Sequence, residues 1–239
     1  SWGFPRDPEM PWSAYLLIAG LALSAGLNWY GAWAQKLRLY YATKPIVLLL
    51  LIALFILWGG TLPSALPFLL GLGFSLLGDI CLIPRSQTWF LAGLIAFFAA
   101  HLFYIYAFNV IPAPPLPTAL VGAAAGLLLL ALSVYILLKT AKKPELKPMR
   151  RVFLPYAAAL VLMAASGVLC VFRPGWPLPA AGMCALGGLL FLISDTMHAA
   201  DRMGKHIPRV KFWIIVTYHL AQFLIALGAA RWAGLNPGL

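Results

Sequence analysis

The sequence predicts an all-α integral membrane protein, one bundle of eight transmembrane helices with both termini on the non-cytoplasmic side. Composition is the first reason. Of 239 residues, 63% are hydrophobic and only 10% charged, and mean hydropathy is +0.91. A water-soluble domain carries about 25% charged residues to keep its surface solvated. The second reason is a series of eight apolar runs, each near the roughly 20 helical residues that cross a hydrocarbon layer. The third is the alternation of basic loops described below. A soluble enzyme, a secreted disulfide scaffold and a disordered chain are excluded.

The runs cover Trp12–Trp33, Pro45–Gly60, Ala65–Ile83, Thr88–Val110, Pro117–Leu138, Val152–Phe172, Leu178–His198 and Phe212–Trp232. None alternates polar and apolar residues as a barrel strand would, and a backbone without water satisfies itself in helices. The first run ends in Ala32-Trp33-Ala34, which resembles a cleavage site. It follows Arg6, Asp7 and Glu9, however, whereas a signal peptide opens with positive charge. It is therefore expected to remain as a helix. The chain opens at Ser1 and not at Met, so its natural N-terminus is expected to lie elsewhere. The second run is the shortest, and Pro45 is read as its first helical residue.

Basic residues set the orientation. Lys36, Arg38 and Lys44 fall in the first connection, Arg85 in the third, and Lys139, Lys142, Lys143, Lys147, Arg150 and Arg151 in the fifth. Arg202, Lys205, Arg209 and Lys211 fall in the seventh. Fourteen of the 17 Lys and Arg thus share one side; only Arg6, Arg173 and Arg231 lie on the other. The positive-inside rule makes the odd connections cytoplasmic. The net charge of +11 is accordingly read as membrane anchoring and not as a nucleic-acid surface. No stretch folds as a soluble domain, so residues 1–239 are one transmembrane unit. The longest connection, about 139–151, is a basic strip on the membrane surface. Pro112, Pro114, Pro115 and Pro117 stiffen an external turn. No internal repeat is found. Cys81, Cys170 and Cys184 lie in apolar runs without metal-ligand spacing and read as packing residues.

Two acidic residues stand inside predicted spans, Asp79 in the third and Asp195 in the seventh. An aspartate at a helix centre costs about 2.5–3.5 kcal/mol on insertion scales, so an ionisable group there points to function. The alternative is that each sits near enough to the cytoplasmic end to reach water. Both helices run in the same sense, which puts the two carboxyls at similar depth. Facing one another, they would offer a protonated acid beside an ionised base. Phe90, Gly93, Phe97, His101 and Tyr104 form one stripe of the fourth helix by their spacing of three and four. A stripe alone reads as packing, but a buried imidazole needs a partner. Tyr218, His219 and Gln222 share an arc of the eighth helix, Ser75 precedes Asp79 by one turn, and Ser194 precedes Asp195. Lys44 stands at the same membrane level, either contacting a lipid phosphate or anchoring the topology. No metal site is expected, since neither HExxH nor paired-histidine spacing occurs and His101, His198 and His219 differ in depth. His198 and His206 are expected at the membrane–water boundary. Walker, GxGxxG and GxSxG motifs are absent from the sequence.

Gly78-Asp79, then Phe90, Gly93, Phe97, Ala100-His101 and Tyr104, then Phe191 and Ser194-Asp195, then Tyr218, Gln222 and Leu224, with Lys44-Pro45 upstream, resemble the lysoplasmalogenase family of YhhN-like multispanning proteins. The resemblance extends over nearly the whole chain. It departs at His219, where a second Tyr is expected after Tyr218, and in the Lys-rich fifth loop; both departures bear on substrate preference. The resemblance implies hydrolysis of the vinyl ether at position 1 of a lysoplasmalogen, giving a fatty aldehyde and glycerophospho-ethanolamine or glycerophosphocholine. It implies lysophospholipid and water as partners beside membrane lipids, and no cofactor. Asp79 and Asp195 would then be the catalytic acid and base in either order. His101, Tyr104, Tyr218, Gln222, Ser75, Ser194 and His219 would support them, with Lys44 on the phosphate. The chemistry suits the residues, because a vinyl ether reacts only after its carbon is protonated.

Two other readings fit parts of the sequence. A transporter of small solutes would use the aspartates as proton relays, and a zinc-dependent intramembrane lipid amidase would use histidines with an aspartate. Vesicle uptake would reveal the first, chelator sensitivity the second. Compact loops fit a bacterial inner membrane, or the endoplasmic reticulum membrane if the source is eukaryotic. Headgroup and oligomeric state are left open by the residues.

Overall fold

The structure is a computed structural model that describes residues 11–84, 86–110, 114–140, 147–202, 204 and 206–234; side chains at 129, 130, 132–134 and 136–151 are not described. Arg6, Asp7, Glu9, Arg85, Pro112, Lys142, Lys143 and Lys205, which enter the charge and turn expectations, lie outside the described residues. Among the described residues the chain is helical without a strand. The helices are α1 (Trp12–Trp33), α2 (Leu37–Leu57), α3 (Leu66–Cys81), α4 (Gln87–Asn109), α5 (Leu116–Thr140), α6 (Lys147–Leu169), α7 (Leu178–Arg202) and α8 (Val210–Trp232), with a 3₁₀ turn at Cys170–Phe172.

Among the described residues six segments are long and apolar enough to cross a membrane: α1, α2, α4, residues Val152–Phe172, α7 and α8. Leu66–Cys81 and Leu116–Leu128 are shorter apolar helices. Polarity is inverted relative to a water-soluble protein. Asp79, His101, Ser75 and Gln222 are fully enclosed, while Leu49, Ile95 and Leu186 face outward, as they must where the surroundings are hydrocarbon.

The main correction to the expected boundaries is in α2. It starts at Leu37 rather than Pro45, and Pro45 lies within it. Pro is favoured in a first turn but not confined there when neighbours take up the carbonyls near it. Asn28 of α1 donates to the Tyr40 carbonyl at 2.7 Å and to Thr43 Oγ1 at 2.9 Å, while Thr43 donates to the Leu39 carbonyl at 2.7 Å. Lys44 is consequently an interior residue of α2 and not its first. In the other direction, α7 runs on to Arg202, a turn past His198, which leaves Asp195 about two turns from the end. α4 begins where a cap is supplied, Ser86 Oγ accepting from the Trp89 amide at 3.3 Å.

α7 packs most extensively on α8, α3 on α4 and α1 on α2, with α6 bridging α4 and α7 and α5 resting chiefly on α6. The α7–α8 approach depends on Gly187, where an added Cβ would lie 2.9 Å from the Ala221 carbonyl oxygen and 2.7 Å from Ile225. Away from the aspartates the interior is filled by aromatics. Trp176 and Trp232 stack at 4.7 Å, with Phe68 edge-on to Phe108 at 5.4 Å. The space that remains lies toward the opposite end, where α3 and α7 finish and α4, α6 and α8 begin.

Candidate active site

That space is a cavity of about 240 Å³ whose wall includes both Asp79 and Asp195. Most of the rest of its lining is apolar, including Leu94, Phe97, Phe153, Leu160 and Ile215. Two acids therefore stand in surroundings where few groups compete for their protons, which is how an intramembrane acid becomes chemically useful.

Each aspartate has its own partners. Asp79, near the end of α3, is ion-paired with Lys44 Nζ at 2.9 Å and accepts from Tyr218 Oη at 3.0 Å. Lys44 is only 8% exposed, so this is a buried pair in which each charge needs the other. Asp195, on α7, accepts a short hydrogen bond from Tyr156 of α6. His101 Nε2 lies 3.9 Å from the same carboxylate oxygen, outside hydrogen-bond range. No direct hydrogen bond joins Asp79 to Asp195 among the described residues. They face one cavity without forming a carboxylate dyad.

Aromatic rings connect the two halves. Tyr218 stands edge-on to Phe191 at 5.5 Å, Phe191 to His101 at 5.0 Å, and His101 to Tyr156 at 5.2 Å. Such interlocked rings leave little rotamer freedom to the groups that hold the aspartates. Gly78 gives this packing room, since a Cβ there would lie 2.6 Å from the Phe97 ring.

The remaining expected site residues divide by location. Lys44, Tyr218 and Ser194 border the cavity with the aspartates, and Ser194 Oγ donates to the Ile214 carbonyl at 3.0 Å, tying α7 to α8. Tyr104 and Gln222 are fully buried and joined at 2.6 Å; neither borders the cavity. Ser75 is buried one turn before Asp79. His219 turns toward α1, where its Nδ1 accepts from Trp29 Nε1 at 3.1 Å. His198 borders the cavity and His206 is exposed. Lys44, expected on a lipid phosphate or as a topology anchor, is paired with the Asp79 carboxylate. Among the described residues no three of His, Cys, Asp and Glu gather in a geometry that would hold a metal.

Sequence reasoning missed Tyr156. Its one local sign is a phenol inside an apolar span, directly after Pro155. A buried hydroxyl needs an acceptor, yet nothing local names Asp195, 39 residues away. Asn28 and Trp29 were missed for the same reason.

Fold and site together define a polytopic membrane protein with a two-carboxylate pocket near one end of its helical bundle. The chain belongs to the YhhN family, which it matches over residues 39–229, leaving all of α1 outside the match. Lysoplasmalogenase TMEM86B of Sus scrofa is 33% identical over 164 residues, 68% of this chain and 63% of that protein. Lysoplasmalogenase TMEM86A of Bos taurus is 33% identical over 174 residues, 72% of this chain and 68% of that protein. Lysoplasmalogenase TMEM86B of Homo sapiens is 35% identical over 158 residues, 66% of this chain and 60% of that protein. The matched part of the chain thus spans less than two thirds of both TMEM86B relatives. No solved structure matches.

Proposed function

We propose that the protein hydrolyses the vinyl ether of lysoplasmalogens, releasing a fatty aldehyde and glycerophospho-ethanolamine or glycerophosphocholine. The observation that carries this reading is the pair of differently partnered aspartates on one largely apolar cavity. The relatives' names support the substrate class.

The partners suggest the division of roles. Asp79, paired with an ammonium, is the carboxylate. Asp195 has no Lys or Arg within ion-pair reach among the described residues, and we assign it the proton. Asp195 protonates C2′ of the vinyl ether, and the C1′=C2′ electron pair forms the new C–H bond, leaving an oxocarbenium ion at C1′ and O. The Asp79 carboxylate and the aromatic faces of Phe97 and Tyr218 steady that cation. Water adds to C1′ and gives a proton to Asp79. The hemiacetal then collapses: the bond from C1′ to the glycerol oxygen breaks as that oxygen takes the proton held by Asp79, and the C1′ hydroxyl gives its proton to the Asp195 carboxylate and becomes the aldehyde carbonyl. Two protons enter and two leave per turnover, so no cofactor is needed. Tyr156, Tyr218 and His101 are positioning residues, and the Tyr104–Gln222 bond braces α4 against α8 behind them.

The membrane arrangement belongs to the same reading. With eight crossings and outward termini, the cavity lies beneath the cytoplasmic headgroups, where a lysolipid's vinyl ether sits just below its glycerol. The alkenyl chain would run past Leu160 and Val161 of α6 toward the hydrocarbon. A bacterial inner membrane suits the compact loops.

Incubating the purified protein with 1-alkenyl-glycerophosphoethanolamine is expected to yield free aldehyde, detected by mass spectrometry. The 1-alkyl analogue, whose saturated ether has no carbon to protonate, is expected to yield none. Absence of aldehyde, or equal cleavage of both ethers, would count against the reading.

A further inference from the structure

A second cavity, of about 280 Å³, adjoins the first. Lys44, Phe90, His198 and Arg202 border both. The remaining wall of the second has a different character, with Tyr40, Tyr41, Asp201 and Lys211. Whereas the first cavity is mostly apolar, this one gathers Arg202 and Lys211 beside Lys44, with one carboxylate and two phenol rings.

Arg202 sits at the junction. Its guanidinium carbon lies 4.0 Å over the Phe90 ring, a stacking that fixes the plane of the fork while leaving its N–H edges free to bind. Arg202 and Asp201 are exposed and Lys211 is half-buried. Neither Asp201 nor Lys211 is in an ion pair with another described residue. Lys44, by contrast, is committed to Asp79. The cations available to an anion are therefore those of the second cavity. Tyr40 and Tyr41 meet edge to face at 5.0 Å and offer ring surface beside the carboxylate of Asp201, a combination that attracts an organic ammonium.

We propose that this second cavity binds the zwitterionic headgroup of a lysophospholipid, its phosphodiester on Arg202 and Lys211 and its amine on Asp201 with the two tyrosines. The proposal deepens the functional reading and rests on it for the choice of lipid. It also gives the substrate a register: with phosphate at Arg202, the lipid passes the junction into the apolar cavity where the aspartates stand.

The test is equilibrium binding to the full chain in non-ionic detergent micelles, using three saturated ligands: 1-O-hexadecyl-glycerophosphoethanolamine, 1-O-hexadecyl-glycerol-3-phosphate and 1-O-hexadecyl-glycerol. None can be turned over by the proposed reaction, so the result is read independently of aldehyde release. The double variant Arg202→Gln/Lys211→Met is expected to raise Kd for both phosphate-bearing ligands about tenfold or more and to leave hexadecyl-glycerol unchanged. Asp201→Asn is expected to weaken only the ethanolamine ligand, by roughly fivefold. An equal shift for all three ligands, or none, would overturn the proposal. So would inorganic phosphate binding with the same dependence on Arg202 and Lys211 while the lipids bind without it.

Discussion

Asp195→Asn is expected to lower the rate of aldehyde release by 10²–10⁴-fold, the usual range for a positioned general acid, while the protein still folds. Tyr156 donates to Asp195, and an asparagine oxygen accepts that bond equally well, so α6 and α7 stay joined. An amide has no acidic proton to give to carbon. Initial rates measured with 1-alkenyl-glycerophosphoethanolamine, beside an unchanged unfolding midpoint, would establish the role. A variant retaining near-normal turnover would remove Asp195 from the chemistry.

Asp79→Asn is expected to be worse in a second respect. Lys44 is 8% exposed and its ammonium is 2.9 Å from Asp79. Neutralising one member of a buried pair leaves the other uncompensated, at a cost of about 3–5 kcal/mol. The single variant is therefore expected to lose both stability and activity, which by itself would not identify a catalytic role. Lys44→Met/Asp79→Asn removes both charges, keeps an acceptor for Tyr218, and is expected to recover most of the thermal stability. Its aldehyde release is expected to stay on the order of 10²–10⁴-fold below the parent chain. If turnover returned with stability, Asp79 would be a structural residue only.

Much of this architecture could be read from the chain before any coordinate. Apolar run length gave α1 to the residue and placed the ends of α4 and α8 within about two residues. Asp79 and Asp195 stood out because a carboxyl within an apolar run costs free energy that its surroundings must offset. The start of α2 was hidden because Pro45 looks like a first-turn residue, whereas the helix begins about two turns earlier, at Leu37, where Asn28 of another helix bonds the Tyr40 carbonyl. The partners of the aspartates were hidden for a similar reason. Spacing says which residues share a face of one helix, whereas the Tyr156–Asp195 and Lys44–Asp79 contacts depend on how separate helices rotate against each other. His219 shows the same limit: it shares an arc with Tyr218 along α8, yet its ring turns to Trp29 of α1.

Proton delivery to carbon is the step on which cleavage depends. The most direct measurement is turnover in D₂O with the aldehyde trapped at once as a hydrazone, faster than its own exchange, and weighed by mass spectrometry. One deuterium at C2′ of the aldehyde is the expected result. Aldehyde formed at full rate with only hydrogen at C2′ would show that the bond breaks without that step.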